Sequence, residues 1–287
     1  MRLVIIGYGF SSKAIHRALD GQLESLTVTT TKSDKADQLK AQGVNAVTFD
    51  GTSVSAELDE ALRSATHLIV SAAPTDGGDP LLKCFDVANA HDLTWVGYLS
   101  TVGVYGDHGG VWIDETTPAT PASARSKARR AVEATWEQRQ TVFGFELGTF
   151  RLAGIYGAGR SALDKVRSGT ARRIVKPGQV FNRIHVDDIG RAVAEAAIKK
   201  VGGIFNVCDD EPGPPQDVIT HAANLLDVEP PPEVAFEESN LSPMGRFFYG
   251  ENKRVSNARL KEAFGPMLYP TYRQGLAGLL AGEGKPS

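Results

Sequence analysis

Leu3-Val-Ile-Ile-Gly-Tyr-Gly-Phe-Ser-Ser12 is the stretch on which the fold turns. Four apolar residues, three of them β-branched, read as a buried strand, and the pattern from Ser11 to about Leu19 reads as a helix. Between them stands Gly7-x-Gly9. In a strand-to-helix turn of this kind the first glycine makes the tight bend. The second lets a ligand approach the backbone, and a small third residue, here Ser12, lets the helix pack on its strand. The open N–H groups and dipole of the new helix then favour an anion beside Gly7, Gly9, Phe10, Ser11 and Ser12. An ordinary turn with no ligand is the alternative.

Working outward, short apolar runs alternate with helical patterns. Strands are expected at Leu26–Thr31, Ala46–Phe49, His67–Ala72, Thr94–Leu99 and Phe145–Leu152. Helices are expected at Asp34–Gln42, Glu57–Leu62, Pro80–Ala90 and Ser123–Gln140. This rhythm is that of a parallel sheet with crossover helices on both faces. The expectation is an α/β fold, a Rossmann doubly wound parallel sheet with a smaller C-terminal substrate-binding lobe. Residues 1–155 would form the first domain. Residues 156–287 would be mostly the second, with segments around 180–210 (Asp187–Lys199 and Ile204–Val207) returning to the sheet.

Composition narrows the function. The 287 residues are 41% hydrophobic and 23% charged, enough for a sizeable core and too apolar for a disordered chain. Thirty-one basic side chains against 34 acidic ones leave a net charge of −3, without the basic footprint of a nucleic-acid or anionic-membrane binder. Cys84 and Cys208 lie far apart, and the six histidines lack metal-ligand spacing, so no metal site is expected. No apolar run approaches the roughly 20 residues of a membrane span, and the N-terminus is too short in apolar residues for a signal peptide. A soluble, cytoplasmic protein acting on a small molecule is the expectation.

The glycine turn has the spacing of the dinucleotide fingerprint, G-x-G-x-x-G, with Ser12 in third place. About 20 residues on, an acid would suit the ribose hydroxyls of NAD and a basic residue a 2′-phosphate. Thr29-Thr30-Thr31-Lys32 stand there, with no acid until Asp34. Thr30, Thr31 and Lys32 therefore favour NADP over NAD, unless Lys32 is merely solvated. Asp50, after the third strand, is placed to meet the adenine edge or to cap the next segment.

Further pieces follow in order: Ser71-Ala-Ala-Pro, Leu99-Ser-Thr-Val-Gly-Val-Tyr-Gly, Phe150-Arg-Leu-Ala-Gly-Ile-Tyr-Gly, Asn182-Arg-Ile-His-Val-Asp-Asp-Ile, Phe205-Asn-Val-Cys-Asp-Asp-Glu-Pro and Tyr269-Pro-Thr-Tyr-Arg-Gln-Gly-Leu. With the glycine turn, this series resembles the extended and atypical short-chain dehydrogenases/reductases, the NAD-dependent epimerase/dehydratase group. The G-x-G spacing resembles the atypical branch. The resemblance implies cofactor contacts at Ala72, Ala73 and Pro74 as well.

It also implies an active site of three parts: a Ser or Thr after the fifth strand, and a Tyr-x-x-x-Lys on the next helix. The spacing of four sets tyrosine and lysine on one helix face, where the ammonium lowers a phenol pKa that is ordinarily about 10. On this sequence Thr101 takes the hydroxyl position and Lys127 the lysine, which would also bind the nicotinamide ribose. The tyrosine position is Ser123, a far weaker acid. Either Tyr105, or Tyr98, supplies the phenol from elsewhere, or Thr101, Lys127 and water suffice, or there is no redox chemistry. Tyr105 also reads as a pocket wall, and Ser123 as a helix N-cap.

Val102-Gly103 follow Thr101 where sugar-nucleotide dehydratases of the group carry an Asp-Glu pair, so that chemistry is not expected. Arg183 resembles the arginine that meets a nucleotide diphosphate, and a guanidinium suits phosphate oxygens; an ion pair with Asp187 or Asp188 is its other reading. Arg160 and Arg254 are weaker candidates for the same role. Relatives associate through two helices, here Pro80–Ala90 and Ser123–Gln140, so a homodimer is implied. Two functions stay open. One is an NADP-dependent oxidoreductase or epimerase-like enzyme acting on a carbonyl or secondary alcohol, with a nucleotide sugar as one option. The other is a dinucleotide-binding sensor without turnover.

Overall fold

The computed structural model describes residues 1–76 and 78–282. Seven strands form the central sheet: β1 (Arg2–Ile6), β2 (Ser25–Thr30), β3 (Ala46–Thr48), β4 (His67–Val70), β5 (Trp95–Thr101), β6 (Glu146–Leu152) and β7 (Gly203–Val207). Their order is β7-β6-β5-β4-β1-β2-β3, and β1 pairs in parallel with β2 and β4, β2 with β3, and β4 with β5. Helices α1 (Phe10–Ala18), α2 (Ser33–Ala41) and α3 (Ala56–Ser64) cross between successive early strands, and α4 (Ala124–Phe143) links β5 to β6. The fold is therefore the α/β, doubly wound Rossmann type that the alternation predicts. Its chain order reverses at β1 and β4, where ligands of such sheets sit beyond the strand ends.

The strands are apolar because both sheet faces are covered. Leu3 to Ile6, Leu68 to Val70 and Val96 are all buried, and Val4, Ile6, Leu68, Val70, Val96, Val132 and Trp136 share one core cluster. Ends differ from expectation by up to three residues, with one real departure. Pro80–Ala90 is not an α-helix but a turn followed by a 3₁₀ turn at Val87–Asn89. Two local caps account for it. The Asp79 carboxylate accepts the Leu81 and Leu82 N–H groups at 2.8 and 3.4 Å, and Asp86 accepts that of Ala88 at 3.1 Å. Asp79 caps the start of the turn, and Asp86 offers the backbone a partner that a continuous helix would have to displace.

The chain divides into two compact units. The first holds Met1–Val104, Pro121–Arg151 and Ile189–Phe205. The second holds Tyr105–Thr120, Leu152–Asp188 and the chain from Asn206 onward. In the second, short parallel strand pairs (Gly154–Tyr156 with Arg183–His185, Arg173–Val175 with Glu233–Ala235) accompany helices Pro215–Leu225 and Tyr272–Gly282. Tyr156, Leu163, Val218, Ala222, Tyr272 and Leu276 make its core. Gly275 is required there, because a Cβ would overlap the Tyr156 hydroxyl. Among the described residues no helix is long and apolar enough to cross a membrane, and no group of acidic, histidine or cysteine side chains is arranged to hold a metal.

Candidate functional site

The glycine turn is built for close backbone approach. Gly7 has φ +90°, and a Cβ there would stand 3.0 Å from the Ala72 nitrogen, so neither conformation nor space admits a side chain. Its N–H donates to Thr29 Oγ1 at 2.9 Å, and the Tyr8 N–H to the Thr29 carbonyl at 2.8 Å, so the end of β2 pins the bend. Ser12, fully buried, donates to the Gly7 carbonyl at 2.7 Å and fills the third place of the fingerprint. A Cβ on Gly9 would meet none of the described residues within 4 Å, which leaves the space before α1 open. No acid stands in the first turn of α1, so Phe10, Ser11 and Ser12 begin a helix whose positive end is uncompensated.

Beside this turn, Thr30 is buried at the end of β2, and Thr31 and Lys32 are exposed where α2 begins. Lys32 is the residue before the first turn of α2 and makes no side-chain cap. Lys35 reaches back from that helix and donates to the Tyr8 carbonyl at 3.0 Å. A cation thus stands against the glycine turn. Asp50 is exposed and takes both the N–H and the hydroxyl of Thr52, at 2.9 and 2.6 Å; the Thr52 hydroxyl leads in holding its carboxyl below the usual range. Ala72, Ala73 and Pro74 follow β4, and the Ala72 N–H donates to the Ile6 carbonyl at 3.0 Å beside Gly7.

At the end of β5, Thr101 is half-buried and its Oγ1 accepts the Gly103 N–H at 3.1 Å. Ser123 caps α4: its Oγ accepts the Ser126 N–H at 3.0 Å and donates to Ser126 Oγ at 2.9 Å. Lys127, exposed, lies one turn on, its N–H bonded to the Ser123 carbonyl. Ser126 and Thr101 both stand beside Gly103. A Cβ on Gly103 would be 2.9 Å from Ser126 Oγ and 3.4 Å from Thr101 Oγ1.

Below this point α4 is fixed to the sheet by buried charge. Glu133, fully buried, accepts from the Ser100 hydroxyl and forms an ion pair with Arg151 at 2.8 Å. Arg129, also buried, donates to the Leu99 carbonyl at 2.8 Å and to the Ala72 carbonyl and Tyr98 hydroxyl at 3.3 Å. Arg129 is thus a tie between the ends of β4 and β5.

Neither tyrosine offers an accessible phenol. Tyr98 is fully buried, and burial pushes its pKa up to about 12. Tyr105 is fully buried and its hydroxyl donates to Asn206 Oδ1 at 2.8 Å.

The whole chain is similar to a functionally unknown conserved protein from Silicibacter pomeroyi, at 44% identity over 99% of each chain, with a TM-score of 0.87. The chain belongs to that protein's family. More distant structures share the fold. One is a Methylobacillus flagellatus protein provisionally described as an NAD-dependent epimerase/dehydratase (23% identity, 97% of each chain, TM-score 0.69). Another is the UDP-glucose 4-epimerase of Thermus thermophilus, in complex with NAD (18%, 98% of each chain, 0.73). No family model and no functionally curated protein matches the chain.

The arginines expected at a diphosphate lie in the second unit. Arg183 NH1 donates to the Phe181 and Gly213 carbonyls at 2.9 and 3.1 Å, and its guanidinium lies 5.5 Å from the Tyr272 ring centroid. The acid that faces it is Asp209, rather than Asp187 or Asp188. Asp188 accepts the Leu268 and Tyr269 N–H groups. Burial leads in pushing the Asp209 pKa up to about 8, against the pull of Arg183, and its Oδ2 has no hydrogen-bond partner among the described residues. Arg160 is exposed, and Arg254 donates to the Gly110 carbonyl.

Sequence reading missed Lys35, Ser126 and Arg129. A signal for the last two existed. Ser126, Arg129, Val132, Glu133 and Trp136 recur at helical spacing and are the residues of α4 that are buried.

Proposed function

We infer that this chain binds NADP at the first unit's glycine turn and is an oxidoreductase or epimerase-like enzyme of the NAD-dependent epimerase/dehydratase kind. The observation that carries the reading is the turn itself: a left-handed glycine against Ala72, a serine in third place and open space before an uncompensated helix end. These features fit a dinucleotide. Gly7, Gly9, Phe10, Ser11 and Ser12 would hold the pyrophosphate, and Ala72, Ala73 and Pro74 would line the neighbouring strand end. Thr30, Thr31, Lys32 and Lys35 would face the adenosine ribose, where two ammonium groups and no acid suit a 2′-phosphate. The neighbour from Thermus, solved with NAD, supports a pyridine nucleotide in this fold.

When bound, the cofactor supplies or accepts a hydride. The chain's own part is to place a carbonyl or secondary alcohol at Thr101, with Lys127 near the nicotinamide ribose. A nucleotide sugar is the substrate class that the neighbours' names favour. The protein would act in the cytoplasm on this small molecule, without nucleic acid or membrane. A homodimer would use α4, whose last turn exposes Val142 and Phe143. NADPH oxidation with sugar nucleotides, aldehydes or ketones, lost in Thr101→Val and Lys127→Met, tests the reading.

A second reading rests on the phenols. Ser123 is spent on capping α4, and Tyr98 and Tyr105 are buried, so the acid that completes a carbonyl reduction is missing. That favours a dinucleotide sensor without turnover. NADPH binding with no consumption across the same screen supports it, and consumption that depends on Thr101 rules it out.

A further inference from the structure

Ser126 has no role in the reading above, yet its hydroxyl and that of Thr101 both stand beside Gly103. Ser126 is 7% exposed. Its backbone N–H goes to Ser123 Oγ, and the Ser123 hydroxyl hydrogen comes back to Ser126 Oγ. The hydrogen on Ser126 Oγ must therefore point elsewhere, and no acceptor for it stands among the described residues. Thr101 is in the same state: its Oγ1 accepts the Gly103 N–H, and its own hydrogen has no acceptor among the described residues.

Both hydroxyls flank Gly103, within 3.4 Å of the point a Cβ would occupy. The φ of Gly103 is not positive, so the glycine is there for space rather than for backbone freedom. Each hydroxyl accepts one hydrogen bond, which polarises its remaining O–H. A buried donor without an acceptor is costly. The first turn of α4 adds the positive end of a 20-residue helix.

We propose that Thr101 and Ser126 form a two-hydroxyl clamp that holds one ligand oxygen, and that the group it selects is an oxyanion-like oxygen, a carboxylate or a strongly polarised carbonyl. Ser123 stands behind the clamp as the donor that fixes the direction of the Ser126 O–H. Two aliphatic hydroxyls hold such an oxygen without giving up a proton, which is the chemistry left when the phenol position is a serine. The clamp rests on the reading of Thr101 as the substrate-facing hydroxyl. It narrows the substrate to molecules that present such an oxygen beside the nicotinamide.

The test uses trifluoroacetate as the probe, with fluorine NMR line broadening on the full chain, with and without NADPH. The wild type should bind it saturably in the millimolar range. Ser126→Ala and Thr101→Val should each weaken binding about five- to tenfold, as for one hydrogen bond to a charged acceptor. Gly103→Ala removes no hydrogen bond. Its methyl would lie 2.9 Å from Ser126 Oγ, so it should turn that hydroxyl aside and abolish probe binding while circular dichroism shows a native fold. Probe affinity within twofold of wild type in folded Ser126→Ala and Gly103→Ala overturns the clamp, as does the absence of probe binding to the wild type. Failure to bind NADPH overturns the functional reading instead, and the clamp is then judged on the nucleotide-free protein.

Discussion

Asp209→Asn should flatten the dependence of stability on pH above neutrality. Asp209 is 2% exposed; one carboxylate oxygen takes the Glu211 N–H at 3.2 Å and the other has no partner among the described residues. Burial raises its pKa from 3.8 to about 8, net of the opposing attraction of Arg183. In the unfolded chain it ionises near its ordinary value. Between the two values the folded state therefore holds a proton that the unfolded state has lost. Stability is fully present below the lower value and falls as pH rises through the higher one, at most about 1.4 kcal/mol per pH unit.

Histidines act in the opposite sense. His67 and His185 are pushed down by burial, His67 to about 4, so they stay neutral in the fold while the unfolded chain protonates near pH 6.5. That contribution rises with pH and is nearly complete above about pH 7. From pH 6.5 to 8, wild type should thus lose about 1–2 kcal/mol relative to Asp209→Asn. Asparagine keeps an acceptor for Glu211 and cannot ionise. The assay is urea unfolding by circular dichroism, comparing midpoints of the two proteins at each pH. Parallel profiles across this window would refute the argument, because they would mean that Asp209 is already ionised in the fold.

Three other outcomes follow from the geometry. Gly7→Ala forces a left-handed alanine against the Ala72 backbone; it should cost about 2–3 kcal/mol by thermal unfolding and abolish NADPH binding in calorimetry. Tyr105→Phe leaves the Asn206 carbonyl oxygen without its phenol donor. It should lower unfolding stability by about 1–2 kcal/mol while NADPH affinity stays within twofold, since the phenol has a structural task. Lys32→Glu should weaken NADPH binding at least about tenfold and leave NADH within about threefold, because only the 2′-phosphate meets the reversed charge.

The fold was legible because periodicity reports burial. Runs such as Leu3–Ile6 and Leu68–Val70 are apolar at every position, as strands covered on both faces must be. Pro80–Ala90 misled for a local reason. Its apolar spacing suits a helix, but Asp86 binds the backbone N–H two residues on, in the middle of the run, and such competition depends on a side-chain conformation that spacing does not encode.

At the site, the glycine turn was readable because its chemistry is local: a bend, a small residue and a helix start lie within six residues. Lys35 was not, since its contact with Tyr8 joins residues 27 apart through the crossing of β2 and α2. Ser126 was hidden behind its neighbour. Family position drew attention to Lys127, which is exposed, while the helical phase of Arg129, Val132 and Glu133 turns Ser126 inward. The same phase buries Arg129.

The measurement that bears most directly on the function is calorimetric titration of the wild-type chain with NADPH and then NADH, at matched ionic strength. The account predicts saturable binding of both, with NADPH at least about tenfold tighter, a difference of about 1.4 kcal/mol. Binding of neither nucleotide would contradict it.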